Sequence, residues 1–171
     1  MKFPDLTPLL GAIRWCAVGA AATRLYMPER MTDDLDILIH ANDAQDLRTH
    51  LLEARYVNQG GLSIGGSRWV SPEQFPLDVL YNDEPWVETA LREAQANRDN
   101  QNMPVVPLPY LILMKFNARR VQHIADITRM LGQAGERQLA EVRNVFAQWL
   151  PGNDEDLESL ISLGQLEFRS A

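Results

Sequence analysis

Residues 15–40 read WCAVGAAATRLYMPERMTDDLDILIH, and the fold that we predict is built around this stretch. Its pattern indicates a short strand at 15–18, a tight turn of small residues into a helix at 20–26, and a second strand at 35–39. Pro28 forces a polar loop between the helix and the second strand, because proline cannot continue a helix. A strand, a helix and a second strand in this order predict the beginning of an α/β domain.

The second strand opens with two carboxylates at alternate positions. Asp34 and Asp36 are two residues apart, so in an extended strand they project to the same face. Asp36 lies in the run LDILI, which otherwise favours burial, and an unpaired buried carboxylate is costly. Carboxylate oxygens are the ligands that Mg²⁺ takes in proteins. The pair therefore predicts a Mg²⁺ site; the alternative is two solvated acids at the end of a strand.

A third acid occurs in a similar setting. Asp78 is the single acid of PLDVLY, residues 76–81, which is predicted to be another buried strand. If the two strands are neighbours, three carboxylates converge, and such a set holds one or two Mg²⁺ ions and activates an attacking hydroxyl for phosphoryl or nucleotidyl transfer. The turn Gly19-Ala20 lies where the beginning of a helix can receive a phosphate. For Asp78 alone, a hydrogen-bonded acid at a sheet edge is the alternative.

The next part of the chain extends this pattern. Its periodicity predicts helices at 42–55 and 86–96 on either side of the PLDVLY strand. The glycine pairs at 60–61 and 65–66 favour a β-hairpin, with a nucleotide-contacting rim as the alternative. Short strands of different lengths predict a mixed sheet flanked by helices.

The composition changes at NRDNQN, residues 97–102. From Pro109 the apolar residues recur at spacings of three and four, which predicts one continuous helix up to the glycines at 132 and 135. Such a helix would align Lys115, Arg119, Gln122 and Asp126 on one polar face. We therefore predict an α/β (α+β) domain at 1–100 and a C-terminal helical region at 101–171 that packs on it, with a soft boundary.

Composition limits the kinds of partner. The formal net charge is −7 and the pI is about 4.9, which argues against nucleic-acid binding by a broadly basic surface. Residues 107–132 are a local exception, because they contain four basic side chains and a single acid. Cys16 is the sole cysteine, and no apolar run is long enough to span a membrane. We expect a cytoplasmic protein.

These motifs resemble a known family. V-G-A-A-A, a spacer and R-M-T-D-D-L-D-I-L-I are similar to the nucleotidyltransferase superfamily, which includes DNA polymerase beta and the minimal nucleotidyltransferases. That family has a Gly-Gly or Gly-Ser turn, an Asp-x-Asp pair and a third Asp on a later strand. The matching residues are Gly19, Ala20, Asp34, Asp36 and Asp78. Arg30 and Thr32 match the R-x-T-x-D-x-D variant of bacterial toxin–antitoxin and abortive-infection members.

The later sequence resembles a branch of the same superfamily. LPYLILMKFNARRVQHIADITRML, residues 108–131, is similar to the K-x-x-A-x-R segment, ending in an acid, of the AbiEii-like branch. The matching positions are Lys115, Ala118, Arg120 and Asp126. The resemblance covers roughly residues 12–131. It departs from the family at Ala20, where Gly or Ser is usual, and at Gln122-His123, where Lys-Asp is usual.

The resemblance implies a nucleotidyltransferase-type fold and a Mg²⁺-dependent transfer of a nucleoside monophosphate from an NTP to a hydroxyl. It implies metal binding and catalysis by the three acids, with Mn²⁺ as the alternative cation. The implied nucleotide-binding residues are Gly19, Ala20, Arg30, Thr32, Lys115, Arg120 and Asp126. tRNA, a toxin protein and a small molecule are all compatible acceptors, and a protein partner or homodimer stays open. The two departures favour the alternative of an inactive antitoxin or partner subunit with this fold.

Overall fold

The computed structural model describes residues 2–28 and 32–169. Within them the chain forms eight α-helices and five strands. The helices are α1 (Thr7–Leu10), α2 (Gly19–Thr23), α3 (Ala44–Glu53), α4 (Pro85–Ala94), α5 (Leu108–Ala118), α6 (Val121–Gln133), α7 (Glu136–Trp149) and α8 (Asp154–Arg169). The strands are β1 (Trp15–Ala17), β2 (Leu35–His40), β3 (Val57–Gly61), β4 (Gly66–Val70) and β5 (Pro76–Asn82). The chain divides into two compact units, residues 1–22 with 30–106 and residues 23–29 with 107–171.

The first unit is built on a five-stranded sheet in the order β1-β2-β5-β4-β3. β2 and β5 pair in parallel, whereas the other three pairs are antiparallel. The predicted mixed sheet flanked by helices is therefore confirmed. β3 and β4 form the predicted hairpin between the two glycine pairs. The hairpin lies at one edge of the sheet, and β5 lies between it and β2.

Apolar burial fixes the two central strands. Four of the six residues of β2 are apolar and fully buried, namely Leu35, Ile37, Leu38 and Ile39. α4 packs on β1 and β2, and its buried residues recur along one face. Each fully buried Leu or Ile side chain contributes about 1.5–3 kcal/mol. This core holds the strand ends that carry the polar side chains of the candidate site.

The second unit is helical, and it corrects one prediction. The single helix predicted from Pro109 is two helices, α5 and α6, because Arg119 adopts the left-handed conformation with φ of 49°. α6 and α8 cross where Gly132 faces Gly164, and a Cβ on either glycine would overlap the backbone of the other helix. The apolar spacing continues in phase across Arg119, so the pattern gives no sign of the turn.

Among the described residues, none of the helices combines the length and the apolar character needed to cross a bilayer. The chain passes into the second unit after Val106. The prediction that the helical region packs on the α/β domain stays a prediction.

Candidate metal centre

Three acids meet at one end of the β2–β5 pair. Asp34 immediately precedes β2, Asp36 is its second residue, and Asp78 is the third residue of β5. In the parallel pairing Asp36 lies directly opposite Asp78. Residues opposite each other on neighbouring strands project to the same face, and Asp34 shares that face because it is two residues from Asp36. The strand register therefore brings together the three acids that the sequence singled out.

The carboxylates are close enough to share a ligand. One oxygen from each of Asp34, Asp36 and Asp78 lies within 4.8 Å of the others. Asp78 is only 6% exposed, whereas the other two acids are half-buried. Oxygens that surround one octahedral Mg²⁺ lie about 3–4 Å apart, so small side-chain movements would complete three sites of its coordination shell. The donor set and its spacing fit a hard divalent cation.

Gly19 packs directly against this cluster. Its φ is +60°, and a Cβ at this position would overlap the carboxylate of Asp36. The preceding residue, Val18, donates its backbone N–H to the carbonyl oxygen of Asp36 at 2.9 Å, which continues the β1–β2 pairing to the turn. Glycine is therefore required here both by the backbone conformation and by the acid that it contacts. Ala20 follows as the second residue of α2, and its methyl side chain offers no hydroxyl.

Thr32 holds the first of the acids. Its hydroxyl donates to Oδ1 of Asp34 at 2.5 Å, which orients that carboxylate at the entrance to β2. Thr32 was one of the predicted nucleotide-binding residues, and its described contact is with a predicted metal ligand. Arg30, another predicted nucleotide-binding residue, lies outside the described residues.

Arg68 completes the cluster, and the sequence did not single it out. It lies opposite Asp78 in the antiparallel β4–β5 pair. Nε donates to Oδ1 of Asp78 at 2.7 Å and Nη2 donates to Oδ2 at 2.6 Å, a bidentate ion pair. The side chain of Arg68 is 53% exposed, whereas that of Asp78 is 8% exposed. No local sequence pattern predicts this ion pair, because Arg68 and Asp78 are brought together only by the register between β4 and β5.

The guanidinium of Arg68 interacts electrostatically with all three acids. Hydrogen bonding to Asp78 raises the pKa of the guanidinium still further above its usual range, and the negative charges of Asp78, Asp34 and Asp36 act in the same direction. Arg68 offsets one of the three carboxylate charges. So dense a group of carboxylates is the kind of site that a divalent cation could occupy.

The predicted nucleotide-binding residues of the second unit form a different arrangement. Nζ of Lys115 donates to Oδ2 of Asp126 at 2.9 Å, and the two residues are 4% and 1% exposed. The pair links α5 to α6 across the turn at Arg119. Because both charges are buried, the removal of one partner alone would be costly. Arg120 is exposed at the beginning of α6. The nucleotide-binding roles of these residues stay predictions.

His123 lies beside that pair. Burial lowers the pKa of its imidazole, and the positive charge of Lys115 lowers it further. Because the neutral ring is favoured, His123 does not add a second positive charge next to Lys115 at neutral pH.

The fold is similar to that of a solved antibiotic-resistance factor. The solution structure of the antibiotic-resistance factor ANT(2'')-Ia matches with a TM-score of 0.51 and 12% identity, over 96% of this chain and 92% of that one. A crystal structure of ANT(2'')-Ia in complex with adenylyl-2''-tobramycin matches with a TM-score of 0.48 and 14% identity, over 91% and 89%. A cytoplasmic RNA terminal U-transferase matches with a TM-score of 0.34 and 15% identity, over 67% and 35%.

At these identities the likeness to the first structure establishes a shared fold. No protein-family model matches the chain, and no curated protein matches its sequence. The narrower resemblance to the AbiEii-like branch stays a prediction.

We expect Gly19→Ala to abolish Mg²⁺ binding, because the new methyl group displaces the Asp36 carboxylate. Gly11→Ala is the matched control, since Gly11 also has a positive φ, of +59°, but a Cβ there meets no atom within 4 Å. Both variants are expected to lose about 1–3 kcal/mol of unfolding free energy through backbone strain. Isothermal titration with MgCl₂ separates them. Equal Mg²⁺ affinities for the two variants would contradict this account of Gly19.

We expect Lys115→Met to lower the free energy of unfolding by about 3–5 kcal/mol, because it leaves the buried Asp126 without its ammonium partner. Lys115→Met combined with Asp126→Leu should lose less, since no uncompensated charge is then buried. Urea denaturation measures both. A single variant of unchanged stability would show that the pair does not hold α5 and α6.

Proposed function

We propose that this protein is a Mg²⁺-dependent nucleotidyltransferase that moves a nucleoside monophosphate from an NTP to a hydroxyl acceptor. The observation that carries the proposal is the convergence of Asp34, Asp36 and Asp78 beside the Gly19 turn. The shared fold with ANT(2'')-Ia supports it independently. Without this convergence of acids, the fold alone would give no reason to expect a bound metal.

Each residue of the cluster has a distinct proposed role. Asp34 and Asp36 hold the cation, with Thr32 orienting the first and Gly19 leaving room for the second. Asp78 completes the site and takes the proton of the acceptor hydroxyl at one of its carboxylate oxygens. The backbone amides at Gly19 and Ala20 bind phosphate oxygens, together with Arg30.

The reaction balances as a single displacement. The acceptor oxygen attacks the α-phosphorus, the bond from that phosphorus to the oxygen bridging the α- and β-phosphates breaks, and pyrophosphate leaves with the electron pair. When bound, Mg²⁺ supplies positive charge that stabilises the phosphate oxygens and lowers the pKa of the acceptor hydroxyl. Positioning and charge placement therefore supply most of the rate enhancement.

The chemical class of the acceptor can be identified by finding which product takes up the label of an α-labelled NTP. We propose a hydroxyl of tRNA, of a toxin protein or of a small molecule, within a toxin–antitoxin or abortive-infection system. The exposed basic residues of the 107–132 segment, among them Arg120, favour a polyanionic acceptor, whereas the net charge of −7 favours a cationic small molecule. Incubation with a cell lysate and α-labelled NTP shows whether RNA, protein or a small molecule becomes labelled.

A catalytically inactive binding protein is the second candidate. Ala20 has no hydroxyl to offer a phosphate, and both oxygens of Asp78 are bonded to Arg68. In that case the lysate experiment would give stable retention of a partner protein without any transfer of label. Transfer of label that depends on Asp36 would exclude this candidate.

We expect Asp36→Asn to remove Mg²⁺-dependent nucleotide binding and to lower nucleotidyl transfer by about 100-fold or more, because one ligand of the cation is lost. Titration of ATP, CTP, GTP and UTP with and without Mg²⁺ identifies the preferred nucleotide and measures the binding. The transfer rate is then measured with that nucleotide.

Glu93→Gln is the matched control, since it makes the same acid-to-amide change at an exposed residue of α4. It should bind nucleotide like the wild type. Wild-type protein that binds none of the four nucleotides in a Mg²⁺-dependent way would refute the proposed function.

A further inference from the structure

Arg68 and a divalent cation would both bind Asp78. The guanidinium bonds to both oxygens of Asp78, through Nε at 2.7 Å and Nη2 at 2.6 Å. A partner that orients a metal ligand through a single hydrogen bond leaves one oxygen of the carboxylate fully available to the metal. Here the fork of the arginine engages the whole carboxylate edge.

The positive charge of Arg68 would also oppose the binding of a cation. The guanidinium is held in the field of Asp34 and Asp36 as well as that of Asp78, which is where a bound cation would also be held. Two positive charges in one carboxylate cluster repel each other. Either charge satisfies Asp78, which is 6% exposed and costly to leave without a partner.

Arg68 is also free to leave. Its side chain is 53% exposed, so a released guanidinium can be solvated without any rearrangement of the core. Its backbone is fixed opposite Asp78 by the β4–β5 pairing, so the side chain remains within reach of the same acid. The exchange therefore needs a change of side-chain rotamers alone.

We propose that Arg68 competes with the divalent cation for Asp78: it stabilises the buried acid in the metal-free protein and must release it before the metal site is complete. The inference rests on the proposed function, because it concerns the same metal site. It assigns to Arg68 the role of a competitor that lowers the metal affinity of the site. The consequence is that a higher concentration of Mg²⁺ is needed to fill the site.

The test is the affinity for MnCl₂ alone, without nucleotide, measured by electron paramagnetic resonance of free Mn²⁺. Arg68→Gln should bind Mn²⁺ about tenfold more tightly than the wild type, which is the scale on which residues bonded to metal ligands alter metal affinity. Arg68→Lys should show a smaller gain, because it keeps the charge but loses the fork. An orienting role for Arg68 predicts the opposite sign, a weaker affinity in Arg68→Gln.

Arg143→Gln is the matched control. Arg143 forms a comparable bidentate pair with Glu158, at 2.5 and 2.9 Å, within the helical unit. Its loss should leave the Mn²⁺ affinity unchanged. An equal gain in Arg143→Gln and Arg68→Gln would overturn the proposal, because the effect would then follow from net charge alone.

A measurement on the wild type covers the case in which Arg68→Gln does not fold. On titration with MgCl₂ the Nε–H resonance of Arg68 should move as its bond to Oδ1 of Asp78 breaks, while that of Arg143 stays in place. A resonance that stays unchanged at saturating Mg²⁺ would overturn the proposal.

The two proposals fail differently. If the wild type binds Mn²⁺ no better than Asp36→Asn, the metal site is absent and the proposed function fails with it. If the wild type binds Mn²⁺ in an Asp36-dependent way, and Arg68→Gln binds it equally well or more weakly, the competition alone fails.

Discussion

Repulsion among three carboxylates is the constraint on which the rest of the candidate site depends. Oxygens of Asp34, Asp36 and Asp78 lie within 4.8 Å of one another, where two like charges repel by on the order of 3–4 kcal/mol at an effective dielectric constant of about 20. Such an arrangement persists only with compensating charge and hydrogen bonds. Arg68 supplies charge and Thr32 supplies a hydrogen bond. The three acids could therefore hold a cation, and Arg68 is bonded to one of them.

The sheet topology creates this convergence. β5 lies between β2 and β4, so Asp78 has Asp36 opposite it on one side and Arg68 opposite it on the other. The β3–β4 hairpin takes the outer position, and β5 lies between that hairpin and β2. Gly19 then closes the end of the cluster, because any larger residue would displace Asp36.

Much of the candidate site could be predicted from local patterns in the sequence. The alternation of Asp34 and Asp36, and the lone Asp78 in an apolar run, predicted acids on one face of buried strands, and the glycine pairs predicted the hairpin. Arg68 could not be predicted, because its role depends on the register between β4 and β5, which no local pattern records. The turn at Arg119 was missed because a left-handed residue other than glycine leaves no sequence signal, while the apolar spacing runs on unbroken.

The central claim is that the three acids bind one divalent cation together. A crystal soaked in MnCl₂ tests it directly, since manganese is located by its anomalous scattering. The account predicts a peak at coordination distance, about 2.1 Å, from oxygens of Asp34, Asp36 and Asp78, with Arg68 no longer bonded to Asp78. A crystal that shows no peak at the three carboxylates at saturating Mn²⁺, with the Arg68–Asp78 pair intact, would contradict it.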